Sequence, residues 1–158
     1  MTTSVLLLPI DSFEANRLRG SATVFDVADS SPGYPCRQCL KDAEVGEVLA
    51  LVSYDPFALR SPYRSASPIY LHRDDCGEAD VSTIQGQQLR RQLSVRAFDM
   101  NEMMIAGEVI DGVALEETAA RLLTSDEVAF IHVHNASRGC WALRIERSQG
   151  RRVVRNTL

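Results

Sequence analysis

The sequence predicts an α+β fold: one domain, residues 1–158, on a curved, mostly antiparallel sheet partly closed into a barrel, with two helices. Three observations predict it. Seven or eight segments have the length and apolar character of strands, whereas only two have helical periodicity. Strands and helices do not alternate as βα units would, which argues against a parallel sheet. The last third holds two strand-like runs around a short turn, the local signature of a hairpin.

Taken in order, "SVLLLPI" reads as a short buried strand. "DSFEANRLR" follows as a helix, with Asp11 as N-cap, Glu14 at capping-box spacing and Gly20 placed to end it. "ATVFDV", "GEVLALVSY", "PIYLH", "LSVRAF" and "MMIAGEVI" are strand candidates. "ALEETAARLL" is the clearest helix: Leu115, Ala119 and Leu122 share one face, and Glu117 and Arg121 are spaced for an i,i+4 ion pair. "VAFIHVHNASRGCWALRIERS" closes the chain's ordered pattern as a hairpin turning at Ser137, Arg138 and Gly139. Two punctuated loops, 29–44 and 55–67, stand out, and long loops in compact domains tend to carry function.

With 158 residues, 45% hydrophobic and 24% charged, the chain can bury a core of its own and is not disordered by composition. The apolar run at the N-terminus is too short and wrongly flanked for a secretory leader, and no window approaches a membrane span. The expected compartment is therefore the cytoplasm, where the four cysteines would stay reduced unless used chemically. Of 17 basic residues 16 are arginine, and the segment 150–158 reads as a flexible basic tail. A net charge of −4 and the lack of aromatic interleaving argue against nucleic acid as a partner, although a tail of this kind would suit a non-enzymatic interaction module. The oligomeric state is not legible.

Chemistry-bearing residues concentrate in the two loops. In "YPCRQCL", Cys36 and Cys39 have the C-x-x-C spacing with which one loop grips a zinc ion. The second pair of ligands would come from His132 and His134, which share a face of one strand, or from His72 with Cys76; neither combination has the spacing of a stereotyped zinc module. A reactive thiol is the second option: Arg37 beside Cys36 favours a thiolate, and Cys36 with His72 are the catalytic candidates. The third is an arginine-lined cleft for an anionic small molecule, with Arg37, Arg64 and Arg96 as cations and Tyr34 and Tyr63 as walls. Arg96 sits mid-strand and, if buried, needs an internal carboxylate or a ligand's. "HRDDCGEAD" lacks calcium-loop spacing and reads as a solvated loop. No phosphate loop, nucleophile elbow or dinucleotide fingerprint is present.

Four segments, "YPCRQCL" at 34–40, "GEVLALVSYDPF" at 46–57, "SPYRSASPIYLH" at 61–72 and "RGCWALRIER" at 138–147, together resemble the small bacterial proteins grouped as domain of unknown function 1203. The resemblance spans most of the chain in the same segment order, with Ser67 standing where a glycine is usual. It implies that Tyr34, Pro35, Cys36, Arg37, Tyr63, Arg64, Pro68, His72, Cys76, Gly139 and Cys140 belong to recurring motifs. It implies no activity, cofactor or catalytic residue.

Overall fold

The computed structural model describes residues 3–148. The expected basic tail, 150–158, lies outside the described residues. Among the described residues eight strands form: β1 (Val5–Leu8), β2 (Val24–Val27), β3 (Val48–Tyr54), β4 (Ser67–His72), β5 (Gln92–Phe98), β6 (Met104–Asp111), β7 (Phe130–Asn135) and β8 (Trp141–Arg147). They build two antiparallel sheets, one of five strands in the order β1-β8-β7-β5-β6 and one of three in the order β2-β3-β4. The fold class is α+β as expected, but neither sheet closes into a barrel.

The helices are α1 (Ser12–Gly20), the four-residue α2 (Gly86–Leu89) and α3 (Leu115–Leu122). Helix α1 starts as its sequence dictates, with the Asp11 carboxylate accepting the Glu14 amide at 2.8 Å. Only half of the capping box forms, because the Glu14 side chain turns to Arg17 instead. In α3, Leu115, Ala119 and Leu122 are buried as their spacing requires. The expected Glu117–Arg121 pair gives way to Arg121 with Glu108 on β6, at 2.6 Å. That carboxylate is presented across the helix–sheet seam, so the tertiary partner displaces the local one. Helix α2 was not expected, since four residues are too few to establish a period.

The larger core lies between the five-stranded sheet and α3, and centres on Leu93, Val95, Leu115, Ile131, Val133, Leu143 and Ile145. Strand β1, read as buried, is instead an edge strand with one fully buried residue, Leu7. A second core joins the smaller sheet to α1 and to the loop carrying Cys36 and Cys39. It contains Ile10, Leu18, Ala50, Ile69 and Leu71, and Trp141 enters it from β8. The Tyr54 ring packs edge-on against Trp141 at 5.0 Å, which ties the two sheets together.

Candidate metal centre

The loop 34–42 is built as a hydrogen-bonded knuckle against β4. The Cys36 amide donates to the Lys41 carbonyl at 3.0 Å, the Arg37 amide to Tyr70 O at 3.0 Å, and Cys36 pairs with Tyr70 in an isolated parallel bridge. Leu40, directly after Cys39, takes a left-handed backbone, φ 61°. That conformation costs a branched residue about 1–2 kcal/mol, and it persists because the Leu40 side chain is 1% exposed in the larger core. The main-chain reversal turns both thiols of the C-x-x-C toward the end of β4.

There they meet His72, the last residue of β4, and Cys76 from the segment that follows. One donor atom from each of Cys36, Cys39, His72 and Cys76 lies within 4.8 Å of every other. The Cys36 and Cys76 sulfurs are 3.7 Å apart, and the Cys39 sulfur is 3.6 Å from His72 Nδ1. A tetrahedral zinc ion with ordinary bond lengths sets sulfur–sulfur and sulfur–nitrogen edges of about 3.8 and about 3.6 Å. These two separations match those edges, and every other pair lies within 4.8 Å. Disulfides they are not, since all four cysteines are free. Gly77 supplies the tight turn behind Cys76: its φ of +78° is accessible without strain only to glycine, and its amide donates to Asp75 Oδ1 at 3.1 Å.

A second layer orients these groups. His72 presents Nδ1 to the thiols, and its Nε2 lies 3.4 Å from Glu47 Oε1. A carboxylate on the outer nitrogen fixes the tautomer and makes the inner one the better ligand. The Arg19 guanidinium of α1 donates to the His72 carbonyl at 2.6 Å and reaches the Cys76 sulfur at 3.8 Å. Gln38, fully buried inside the C-x-x-C, accepts from Arg19 and donates to Asp75 Oδ1 at 2.9 Å. The amide of His72 donates to the Cys36 sulfur at 3.4 Å. Hydrogen bonds from Cys39 and Cys76 lead in pushing the Cys36 thiol below its ordinary pKa, and they outweigh its burial. The same contact with Cys36 raises Cys76, and hydrogen bonds to Cys36 and Cys39 raise His72 to about 10. The contact thus shifts Cys36 toward the thiolate and His72 toward the imidazolium.

The cluster faces a cavity of about 630 Å³ whose wall includes Cys39, His72 and Cys76 together with Glu44, Glu47, Asp74, Asp75, Glu78 and Asp80. Lys41 and Arg73 are the cations on the same wall. An acidic mouth of this kind raises the local concentration of cations at the thiols.

The other expected site residues lie elsewhere. His132 and His134, one of the two expected partner pairs for the cysteines, are not in the four-residue cluster. Strand β7 runs through the middle of the five-stranded sheet, and there His132 sits among Phe57, Phe98, Phe130 and Trp141, with ring centroids 5.1, 5.3, 4.9 and 6.1 Å away. Burial depresses its pKa to about 3, and neither ring nitrogen has a hydrogen-bond partner among the described residues. His134 shares that face, and its Nδ1 is 2.8 Å from the Gly139 carbonyl.

The expected arginine cleft is likewise divided. Arg64 is paired with Asp55 at 2.7 Å on the surface, and the Tyr63 ring leans on Phe98. Arg96 is half-buried beside Ser94, at 3.1 Å, and this partial exposure spares it the carboxylate a buried arginine would need. Tyr34 and Arg37 alone of that set line a common cavity. Arg19, Gln38 and Glu47 were not singled out in the sequence. Glu47 had a readable signal only in retrospect: it precedes β3, whose pairing of Leu49 with His72 brings the carboxylate to the imidazole.

Neither a curated protein nor a solved structure matches the chain. The family model described as "Protein of unknown function (DUF1203)" matches residues 33–147, a span that holds all four clustered ligands and six of the eight strands. The chain belongs to the DUF1203 family of proteins of unknown function.

Proposed function

We propose that this protein is a zinc-binding domain in which Cys36, Cys39, His72 and Cys76 form a closed, structural Cys₃His site. The observation that carries the reading is the convergence of three thiols and an imidazole within 4.8 Å of one another, with two of the edges at 3.7 and 3.6 Å. Three thiolates and a neutral imidazole suit zinc among the common divalent ions. A donor set that fills all four positions leaves no place for a substrate or a catalytic water, so the ion would act as a staple. It would clamp the 34–42 knuckle to the end of β4 and to the 73–77 turn. The surplus negative charge of three thiolates would be balanced by Arg19, which already touches Cys76.

The thiol-nucleophile reading is the weaker one on physical grounds. Cys36 is fully buried, so a substrate could not reach its sulfur. No described helix is long and apolar enough to cross a membrane. A reducing compartment such as the cytoplasm would keep the thiols available for metal.

The test is elemental analysis of protein purified without a histidine tag or chelator. About one zinc per chain is expected, falling to near zero in Cys39→Ser and in His72→Ala. Cobalt-reconstituted protein should show the visible absorption of a tetrahedral thiolate site. Protein that comes out with intact fold, no metal and no uptake of cobalt would sink the proposal.

A further inference from the structure

The residue between the metal-site cysteines that the staple does not use is Arg37. At Cys36 the isolated bridge gives way to a turn, and the side chains of Cys36 and Arg37 have separate partners. The Cys36 thiol faces His72 and Cys76, whereas the Arg37 guanidinium passes under β8 toward a separate cavity. Arg37 is 2% exposed. Its Nε donates to the Trp141 carbonyl and its Nη1 to the Pro35 carbonyl, both at 2.7 Å. These carbonyls aim the fork but carry no net charge, and Arg37 forms no ion pair with a described residue. A buried cation is costly unless it is compensated, and Cys140, Cys36 and Asp42 act on Arg37 only through space, with no direct ion pair.

The cavity it lines has a volume of about 640 Å³, the size of a small-molecule site. Three arginines, Arg37, Arg91 and Arg138, stand on its wall and no carboxylate does. Arg91 is held by Asp42 at 2.7 Å, a carboxylate that it shares with Arg90. Arg138, in the exposed β7–β8 turn, joins Arg37 as a second cation with no described ion-pair partner. The remaining wall combines Tyr34, Tyr70 and apolar side chains with neutral polar residues, Gln92, Asn135 and Ser137 among them. Tyr34 and Tyr70 pack with ring centroids 5.4 Å apart, and their hydroxyls are turned away to Asp29 and Asp26. Burial lowers the Arg37 pKa to about 10, which leaves it charged at neutral pH.

We infer that this cavity is a binding site for a small oxyanion, a carboxylate or a phosphate monoester, carried on a flat apolar body. Arg37 is the buried anchor, Arg138 the solvent-side clamp, and the Tyr34–Tyr70 pair the surface for the body. The site is independent of zinc: it uses none of the four ligands.

The test uses the full chain as purified and follows ¹⁵N–¹H and arginine side-chain resonances during titration with phenyl phosphate, benzoate and phenol. Saturable binding by phenyl phosphate or benzoate is expected below about 1 mM, with shifts at Arg37, Tyr34 and Arg138 and none with phenol, which lacks the oxyanion. The tighter of the two anions identifies the head group. Arg138→Glu, on an exposed turn, should fold normally, keep its metal content and weaken binding at least tenfold. Arg37→Gln should abolish binding if it folds. The inference is overturned if neither anion saturates up to about 10 mM. It is also overturned if Arg138→Glu binds like the parent protein, or if the shifts map to another face. Metal content is read on the same samples, so failure of the anion site and failure of the zinc site are separate results.

Discussion

Acidification should destabilise this protein through His132, and replacing that one residue should remove the effect. The imidazole is fully buried in an aromatic enclosure, both nitrogens unpartnered among the described residues, with Arg144, His134 and Arg96 as the titratable neighbours that oppose its protonation. Its pKa is depressed from 6.5 to about 3, first by burial. The unfolded chain therefore binds a proton that the native state refuses. Stability from this group is complete above about pH 6.5 and is lost progressively as pH falls toward the folded value. Between about pH 8 and about pH 5 the linkage relation gives a loss of about 2 kcal/mol for His132. His134, whose pKa is lowered to about 4, adds a similar amount with the same sign.

Urea unfolding of the parent and of His132→Leu at the two pH values isolates the first contribution. Both proteins carry the same cysteine cluster, so its own pH dependence cancels. Leucine has a similar volume and no nitrogens to strand, so at the higher pH the variant should be equal to the parent or about 1 kcal/mol more stable. At the lower pH its advantage should grow by about 2 kcal/mol, or about 4–8 °C in melting temperature. Parallel pH profiles would refute the reasoning. So would a native-state titration of His132 by NMR with its midpoint near the ordinary value.

Three further outcomes are expected. Gly112→Ala should lose at least about 4 kcal/mol or fail to fold, because a β-carbon there would meet the Gln88 carbonyl oxygen at 1.8 Å and the Arg91 carbonyl oxygen at 2.8 Å; chemical denaturation checks it. Asp42→Ala should cost about 2 kcal/mol in the same assay, since the carboxylate is 4% exposed and holds both Arg90 and Arg91. Asp11→Ala should cost about 1 kcal/mol by removing the acceptor for the Glu14 amide, with Asp11→Asn close to neutral; equal losses in both would show that the cap is not the cause.

Much of the fold was legible because it rests on local periodicity. Each strand segment read from alternating or apolar runs became a strand, α1 began at its Asp11 cap, and α3 buried the face its spacing defined. Misreadings arose where a distant group decided the matter. Arg121 preferred Glu108 to its helical neighbour, β1 took an edge, and the strands divided into two sheets instead of curling into one.

The candidate site divides along the same line. By itself the sequence determined that Cys36 and Cys39 face one another across two residues, because a tight loop brings i and i+3 together wherever it is placed. It offered two histidine-bearing pairs as partners for them, with His132 and His134 put first. Only the tertiary structure chose His72 and Cys76, through the bridge of Cys36 to Tyr70 and the pairing of β3 with β4, and it placed His132 and His134 on a sheet face lined with phenylalanine. The same packing aimed Arg37 away from its cysteine neighbours, into a cavity that no local pattern describes. The physical reason is one of range: side-chain period is written every two to four residues, whereas four donors meeting at one point depends on which sheet faces and loop ends the whole core brings together.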